Sequence, residues 1–188
     1  MVKYAVLGLG LMGSVICFDL LSNDHSSEVL GFDRDQKQRE AREKEFNSFE
    51  NRFQSLPLIL DLKDNPDSHD LKKILIDNDI SVAFGAIDYK YNYWLSKLCI
   101  QAGVSFIDLG GNPSVVQNQR SLDKKAQEAE VTIVLDLGLA PGMINTFKSS
   151  YSDELEEVSL ASGNINFPIT SSFPFNTVIL VGPFTNKV

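Results

Sequence analysis

Gly8-Leu9-Gly10-Leu11-Met12-Gly13 is the stretch that decides the fold of this chain. It follows the apolar run Tyr4-Ala5-Val6-Leu7 and precedes an amphipathic segment from Leu11 to Leu21. The glycines therefore stand at a strand-to-helix turn, the context in which a G-x-G-x-x-G spacing carries meaning. Gly8 is expected to permit the tight turn. Gly10 lets a pyrophosphate approach bare backbone, and Gly13 lets the new helix pack against the strand. Leu11 and Met12 open that helix, whose unpaired N–H groups and positive dipole end favour phosphate.

Glu28-Val29-Leu30-Gly31-Phe32 reads as the next strand and ends at Asp33, twenty residues past Gly13. An acid at this place accepts hydrogen bonds from the adenosine ribose hydroxyls and repels a 2′-phosphate, which favours NAD over NADP. Arg34, next in the chain, pulls the other way, since a guanidinium pairs with a phosphate. The competing reading is a Gly-rich turn followed by an acid that caps the next helix. Strand, turn, helix and acid together favour the dinucleotide.

The chain has 188 residues, room for one full domain and part of another. Its net charge of −8 argues against a nucleic-acid surface. No apolar stretch is long enough for a membrane helix, and the N-terminus runs straight into a strand without a leader pattern. Cys17 and Cys99 fall in apolar helical patterns and read as buried thiols, which suits a cytoplasmic protein. His25 and His69 lie in polar connections, and no Cys/His cluster has metal-ligand spacing, so no metal is expected.

Strand and helix patterns alternate six times up to Asp136. The third strand is expected at 58–62, entered through Pro57, with a helix opening at 65–67 and facing inward through Leu71, Ile74 and Leu75. The residues from Gln36 to Phe46 read as a solvated charged helix. A fourth strand is expected over 80–87, then a helix over 88–101 capped by Gly103. A fifth strand at 104–108 leads into one helix carrying Val115, Leu122, Ala126 and Ala129. A sixth strand spans 131–136. This rhythm predicts an α/β fold, a doubly wound parallel Rossmann sheet, over 1–144. Residues 145–188, with a short helix at 143–151 and strands at 158–163 and 177–182, read as the start of an incomplete α+β substrate domain. Unless something covers them, those strands expose edges and apolar faces, and a homodimer is expected to form through them.

Three stretches carry a family resemblance: the glycine turn, Asp108-Leu109-Gly110-Gly111-Asn112, and Asp136-Leu137-Gly138-Leu139-Ala140-Pro141-Gly142-Met143-Ile144-Asn145. Through them the chain resembles the saccharopine dehydrogenase-like family, the lysine 6-dehydrogenases in particular. The resemblance implies an oxidoreductase that uses NAD or NADP on a C–N bond of an amino acid or amino-acid adduct. It also implies a larger substrate domain whose sheet makes a dimer contact. By that measure the chain is about half the usual length.

Ligands of such sheets bind at the carboxyl ends of the strands. Ala86 and Ile87 are expected beside the nicotinamide ribose. Asp108 is a candidate general base, with a helix cap or loop anchor as the competing reading. Gly110 and Gly111 offer backbone N–H groups to a substrate. Pro141 and Gly142 begin a helix that serves as a wall for a substrate carboxylate, as a hinge, or as both. Besides the amino-acid dehydrogenase, two other functions fit: a dinucleotide-binding module without turnover, and a dehydrogenase for a different substrate.

Overall fold

The computed structural model describes residues 2–49, 51–58 and 69–138. Their strands are β1 (Lys3–Leu7), β2 (Glu28–Asp33), β3 (Phe53–Pro57), β4 (Val82–Gly85), β5 (Ser105–Asp108) and β6 (Ile133–Val134). Between them lie α1 (Leu11–Asn23), α2 (Gln36–Glu45), α3 (His69–Asp77), α4 (Asn92–Ala102), α5 (Pro113–Arg120) and α6 (Asp123–Glu128). The strands form one sheet in the order β3-β2-β1-β4-β5-β6, every pairing parallel. This is the doubly wound Rossmann order, with the switch point between β1 and β4.

Successive side chains of a strand point to opposite faces, and the sheet is apolar on both. Ala5 and Leu7 of β1 join Leu30 and Phe32 of β2 in a core with Leu71 and Leu75 of α3 and Leu95 and Leu98 of α4. Val6 and Val29 point the other way, into a core with Cys17 and Leu21 of α1, Phe46 and Phe53. Trp94 belongs to the first core and is 9% exposed. The charged α2 has no buried residue; Arg39 donates to Asp33 O, Glu43 accepts from Ser55 Oγ, and Phe46 beyond its end is buried.

Two expectations are corrected. The third strand is Phe53–Pro57 rather than 58–62. Here Gln54 and Ser55 dilute the apolar pattern, as an edge position permits. Pro57, which has no N–H to give, ends the pairing opposite Asp33. Leu58, 6% exposed, continues into the core, and 59–62 and the helix opening at 65–67 lie outside the described residues. The single helix expected after β5 is two, because Ser121 ends α5 by donating its N–H and its Oγ–H back to Asn118 O. No glycine or proline marks that break. The buried positions of this segment are Val116, Gln119, Leu122 and Ala126, so Val116 rather than Val115 leads the inward stripe.

Gly103 caps α4 in the left-handed conformation, as expected. The expected helix at 143–151 and the strands at 158–163 and 177–182 lie outside the described residues.

Candidate cofactor site

The glycine turn sits at the carboxyl end of β1, between β2 and β4. Gly8 has φ +103°, and its N–H donates to Phe32 O at 2.7 Å. A Cβ at Gly8 would lie 2.6 Å from both Ala86 O and Ile87 Cγ2. Ala86 and Ile87 are thus the floor on which the turn rests, and Ala86 N is bonded to Leu7 O at 2.8 Å. At Gly13 a Cβ would stand 1.7 Å from Gly8 O, so the helix start touches the turn backbone. Gly10 is different: nothing lies within 4 Å of a Cβ placed there. The space over Gly10 is open, as a close-approaching phosphate requires.

Ser14 is the first residue of the turn to make the helical bond, to Gly10 O at 2.9 Å. The N–H groups of Leu11, Met12 and Gly13 have no acceptor among the described residues, as at any uncapped helix start. Leu11 and Met12 are exposed, at 88% and 52%. The cradle fits a pyrophosphate on this chain's own geometry.

Asp33 ends β2 half-buried. Its Oδ2 accepts from Leu9 N at 2.8 Å and its Oδ1 from Asp35 N at 2.9 Å. A carboxylate oxygen can accept two hydrogen bonds, so among the described residues each keeps one lone pair unused. Arg34 is exposed. Asp88 caps the turn after β4 by accepting from Lys90 N, and it pairs with Lys90 Nζ at 2.9 Å. These bonds hold the Asp88 carboxyl below its usual range.

At the other half of the edge the loops after β5 and β6 interlock. Asp108 is fully buried. Its Oδ1 accepts from Gly110 N at 2.7 Å and Asp136 N at 3.2 Å, and its Oδ2 from Gln119 Nε2 at 2.6 Å. With three donors and no exposed surface, its bonds are those of a loop anchor. Gly110 and Gly111 have φ +76° and +130°, and a Cβ on Gly110 would lie 2.0 Å from Asp136 Oδ1. Asp136 itself takes φ +57°, a left-handed conformation that side chains rarely adopt away from functional or tightly held sites. Its carboxyl is held above the usual range, first by burial and then by the charge of Asp108, with the Gly111 N–H and Arg120 opposing.

The structure thus brings together Gly8, Gly10, Leu11, Met12, Gly13, Asp33, Ala86 and Ile87 around one turn, and Asp108, Gly110 and Gly111 around another. Pro141 and Gly142 lie outside the described residues. Sequence reading missed Gln119, whose only signal is a polar residue in the inward stripe of α5. Cys17 and Cys99 are free and buried, and burial pushes the Cys17 thiol up to about 12 and the Cys99 thiol higher still, so neither is a nucleophile. Among the described residues no cluster of His, Cys, Asp and Glu is arranged for a metal, and no helix is long and apolar enough to cross a membrane.

Residues 4–134 match the family model of the saccharopine dehydrogenase NADP binding domain. The chain belongs to that family. Its cofactor is accordingly a nicotinamide dinucleotide, NAD(P). Solved structures share the fold at low identity. Saccharopine dehydrogenase (L-Glu forming) from Saccharomyces cerevisiae superimposes with a TM-score of 0.64 at 21% identity, over 86% of this chain and 33% of that one. GenD2 of gentamicin A biosynthesis, solved with NAD, gives 0.54 at 18% identity, over 81% of this chain and 40% of that one. Biliverdin reductase from Synechocystis, solved with biliverdin and NADP+, gives 0.55 at 12% identity, over 87% and 48%. The chain spans about a third of the yeast enzyme's length.

Proposed function

We propose that this chain is the cofactor-binding part of an oxidoreductase acting on the C–N bond of an amino acid or amino-acid adduct, and that it prefers NAD. The observation that carries the first half is the family match over residues 4–134, together with the open cradle above Gly10. The preference rests on Asp33, at the end of β2 and bonded to the glycine turn, whose carboxylate oxygens each accept one hydrogen bond among the described residues.

A bound dinucleotide supplies a hydride acceptor at the sheet edge. The chain's own part is to hold the two phosphates on the N–H groups of Leu11, Met12 and Gly13, and the adenosine ribose on Asp33. Oxidation of an amine needs the nitrogen deprotonated before hydride leaves. Asp136 is the acid best placed to take that proton: it is partly exposed, near the nicotinamide end, and its carboxyl is raised toward the working range of a base. Asp108 then acts through the loop it anchors. Gly110 and Gly111 offer the substrate backbone N–H groups, and Pro141 and Gly142 supply a further wall or hinge.

The second reading is a dinucleotide-binding module without turnover. In either reading the protein works in the cytoplasm, as its two free buried thiols suit, in lysine or related amino-acid metabolism. It assembles as a homodimer through residues beyond 144.

Titration with NADH and then NADPH tests the cofactor half, read by energy transfer from Trp94, the chain's single tryptophan. Binding of NADH in preference to NADPH is expected; no binding of either overturns the reading. Turnover with lysine or saccharopine separates the enzyme from the module. A monodisperse monomer in light scattering overturns the dimer.

A further inference from the structure

Beneath the loop after β5 lies a polar network closed off from solvent. Gln119 of α5 is 2% exposed. Its Nε2 donates to Asp108 Oδ2 at 2.6 Å and to Ser96 Oγ at 2.9 Å. Ser96 of α4 is fully buried and donates onward to Asn92 O at 2.8 Å. Two oxygens of this group, Gln119 Oε1 and Asn92 Oδ1, are buried with no partner among the described residues. A buried polar network with unpartnered acceptors is less stable than an apolar core of the same volume. Stability does not explain why an amide stands in the stripe that Val116 and Leu122 otherwise make apolar.

The bonds on the other side of the network do. Asp108 holds Gly110 N and Asp136 N on one oxygen, and Gln119 is the donor on its other oxygen. Without that donor the carboxylate is free to rotate toward any other donor, and the two loops lose their common anchor. Gly110 also packs directly against Asp136, leaving no room for a Cβ beside its Oδ1, so the two residues that Asp108 Oδ1 holds stand in contact with each other.

We propose that Gln119 is a positioning residue for the nicotinamide end of the site: from α5 it orients Asp108, and through Asp108 the Gly110–Gly111 turn and Asp136. The inference rests on the cofactor reading above. Gln119 touches neither the glycine turn nor Asp33, so its action is confined to one half of the dinucleotide.

That confinement is the test. ADP-ribose occupies the glycine turn and Asp33 but carries no nicotinamide. In the parent protein NADH is expected to bind more tightly than ADP-ribose. Gln119→Leu is expected to leave the ADP-ribose Kd unchanged and to weaken NADH about tenfold, the scale of one lost bond to a charged group. In Gln119→Glu two carboxyls face each other at neutral pH. As pH falls the introduced carboxyl takes up a proton and has an O–H to donate to Asp108, so the NADH advantage over ADP-ribose recovers relative to the parent at the same pH. The charged residues beside this pair are Asp136, whose N–H donates to Asp108 and whose carboxyl Asp108 raises, and Arg120, the neighbour of Gln119 on α5, while α4 presents the uncharged Ser96 and Asn92. A role in folding alone gives no such recovery, and if the Leu variant does not fold, the Glu variant carries the test. Equal weakening of both ligands, an unchanged ratio, or a parent that binds NADH no better than ADP-ribose overturns the inference. A parent that binds neither ligand overturns the cofactor reading itself.

Discussion

The backbone N–H of Leu9 donates to Asp33 Oδ2 at 2.8 Å, so the acid that ends β2 is bonded into the glycine turn that ends β1. The carboxylate proposed to bind the ribose and the glycine turn are therefore one unit. Replacing the acid removes a ligand for ribose and loosens the turn together. Asp33→Ala is expected to weaken NADH by about ten- to a hundredfold, the scale of hydrogen bonds to a charged group. NADPH loses less, because a repelling charge goes as well. Arg34→Ala is expected to leave NADH unchanged. A titration in which both dinucleotides fall equally in Asp33→Ala would remove Asp33 from any part in the preference.

Gly10 and Gly13 separate binding from folding. A Cβ at Gly10 meets nothing within 4 Å, and its φ of −67° suits any residue. Gly10→Ala is expected to melt like the parent while binding NADH poorly, because the methyl occupies the phosphate approach. Gly13→Ala places its Cβ 1.7 Å from Gly8 O. In an open helix that substitution is worth about 1 kcal/mol of stability; here denaturant melting is expected to show a loss instead. An unchanged midpoint for Gly13→Ala would show that the turn is not braced against the helix.

The elements legible in the sequence are those where apolar period and turn chemistry agree. Val6 and Leu7 run into Gly8, and Asp33 follows an apolar strand, so β1 with its glycine turn and β2 ending at Asp33 were readable. β3 was not, because an edge strand tolerates Gln54 and Ser55, while the apolar run at 58–62 made the stronger pattern. The break between α5 and α6 comes from a Ser121 side-chain bond that has no sequence signature. Gln119 was invisible for a different reason: its role is defined by partners in α4 and β5, 23 and 11 residues away. The left-handed backbone of Asp136 follows likewise from the long-range bond to Asp108.

Arg52 makes a clamp that no local pattern announces. Its guanidinium donates to Leu21 O at 2.8 Å, Asp24 O at 3.0 Å and Ser27 O at 3.2 Å, tying the end of α1 and the turn after it to the start of β3. Arg52→Ala is expected to cost about 1.5–3 kcal/mol, the range for a charged donor's bonds, by denaturant unfolding. Arg52→Lys does not restore it, since an ammonium lacks the planar fork that spans three carbonyls. Full recovery with lysine would show that charge rather than geometry holds the turn.

Asp136 gives the site a pH signature whose sign follows from linkage. Its carboxyl is raised in the folded protein, so between the unfolded value and the raised one the folded state binds more protons than the unfolded state. Stability contributed by this group is therefore present at low pH and lost as pH rises through the folded value. Above that value its ionised form opposes folding, because burial and the Asp108 charge both disfavour it. Asp136→Asn removes the charge, keeps an oxygen for the Gly111 N–H, and tolerates the left-handed backbone. The variant is expected to be more stable than the parent at neutral pH, and the difference is expected to shrink as the pH approaches the ordinary range of an aspartate. Melting of parent and variant across that range measures it. Turnover, where the complete site supports it, is expected to fall in the same variant, because the proposed proton acceptor is gone. A variant that melts below the parent at every pH would instead make Asp136 a structural ion, and the search for the base would move to residues beyond 138.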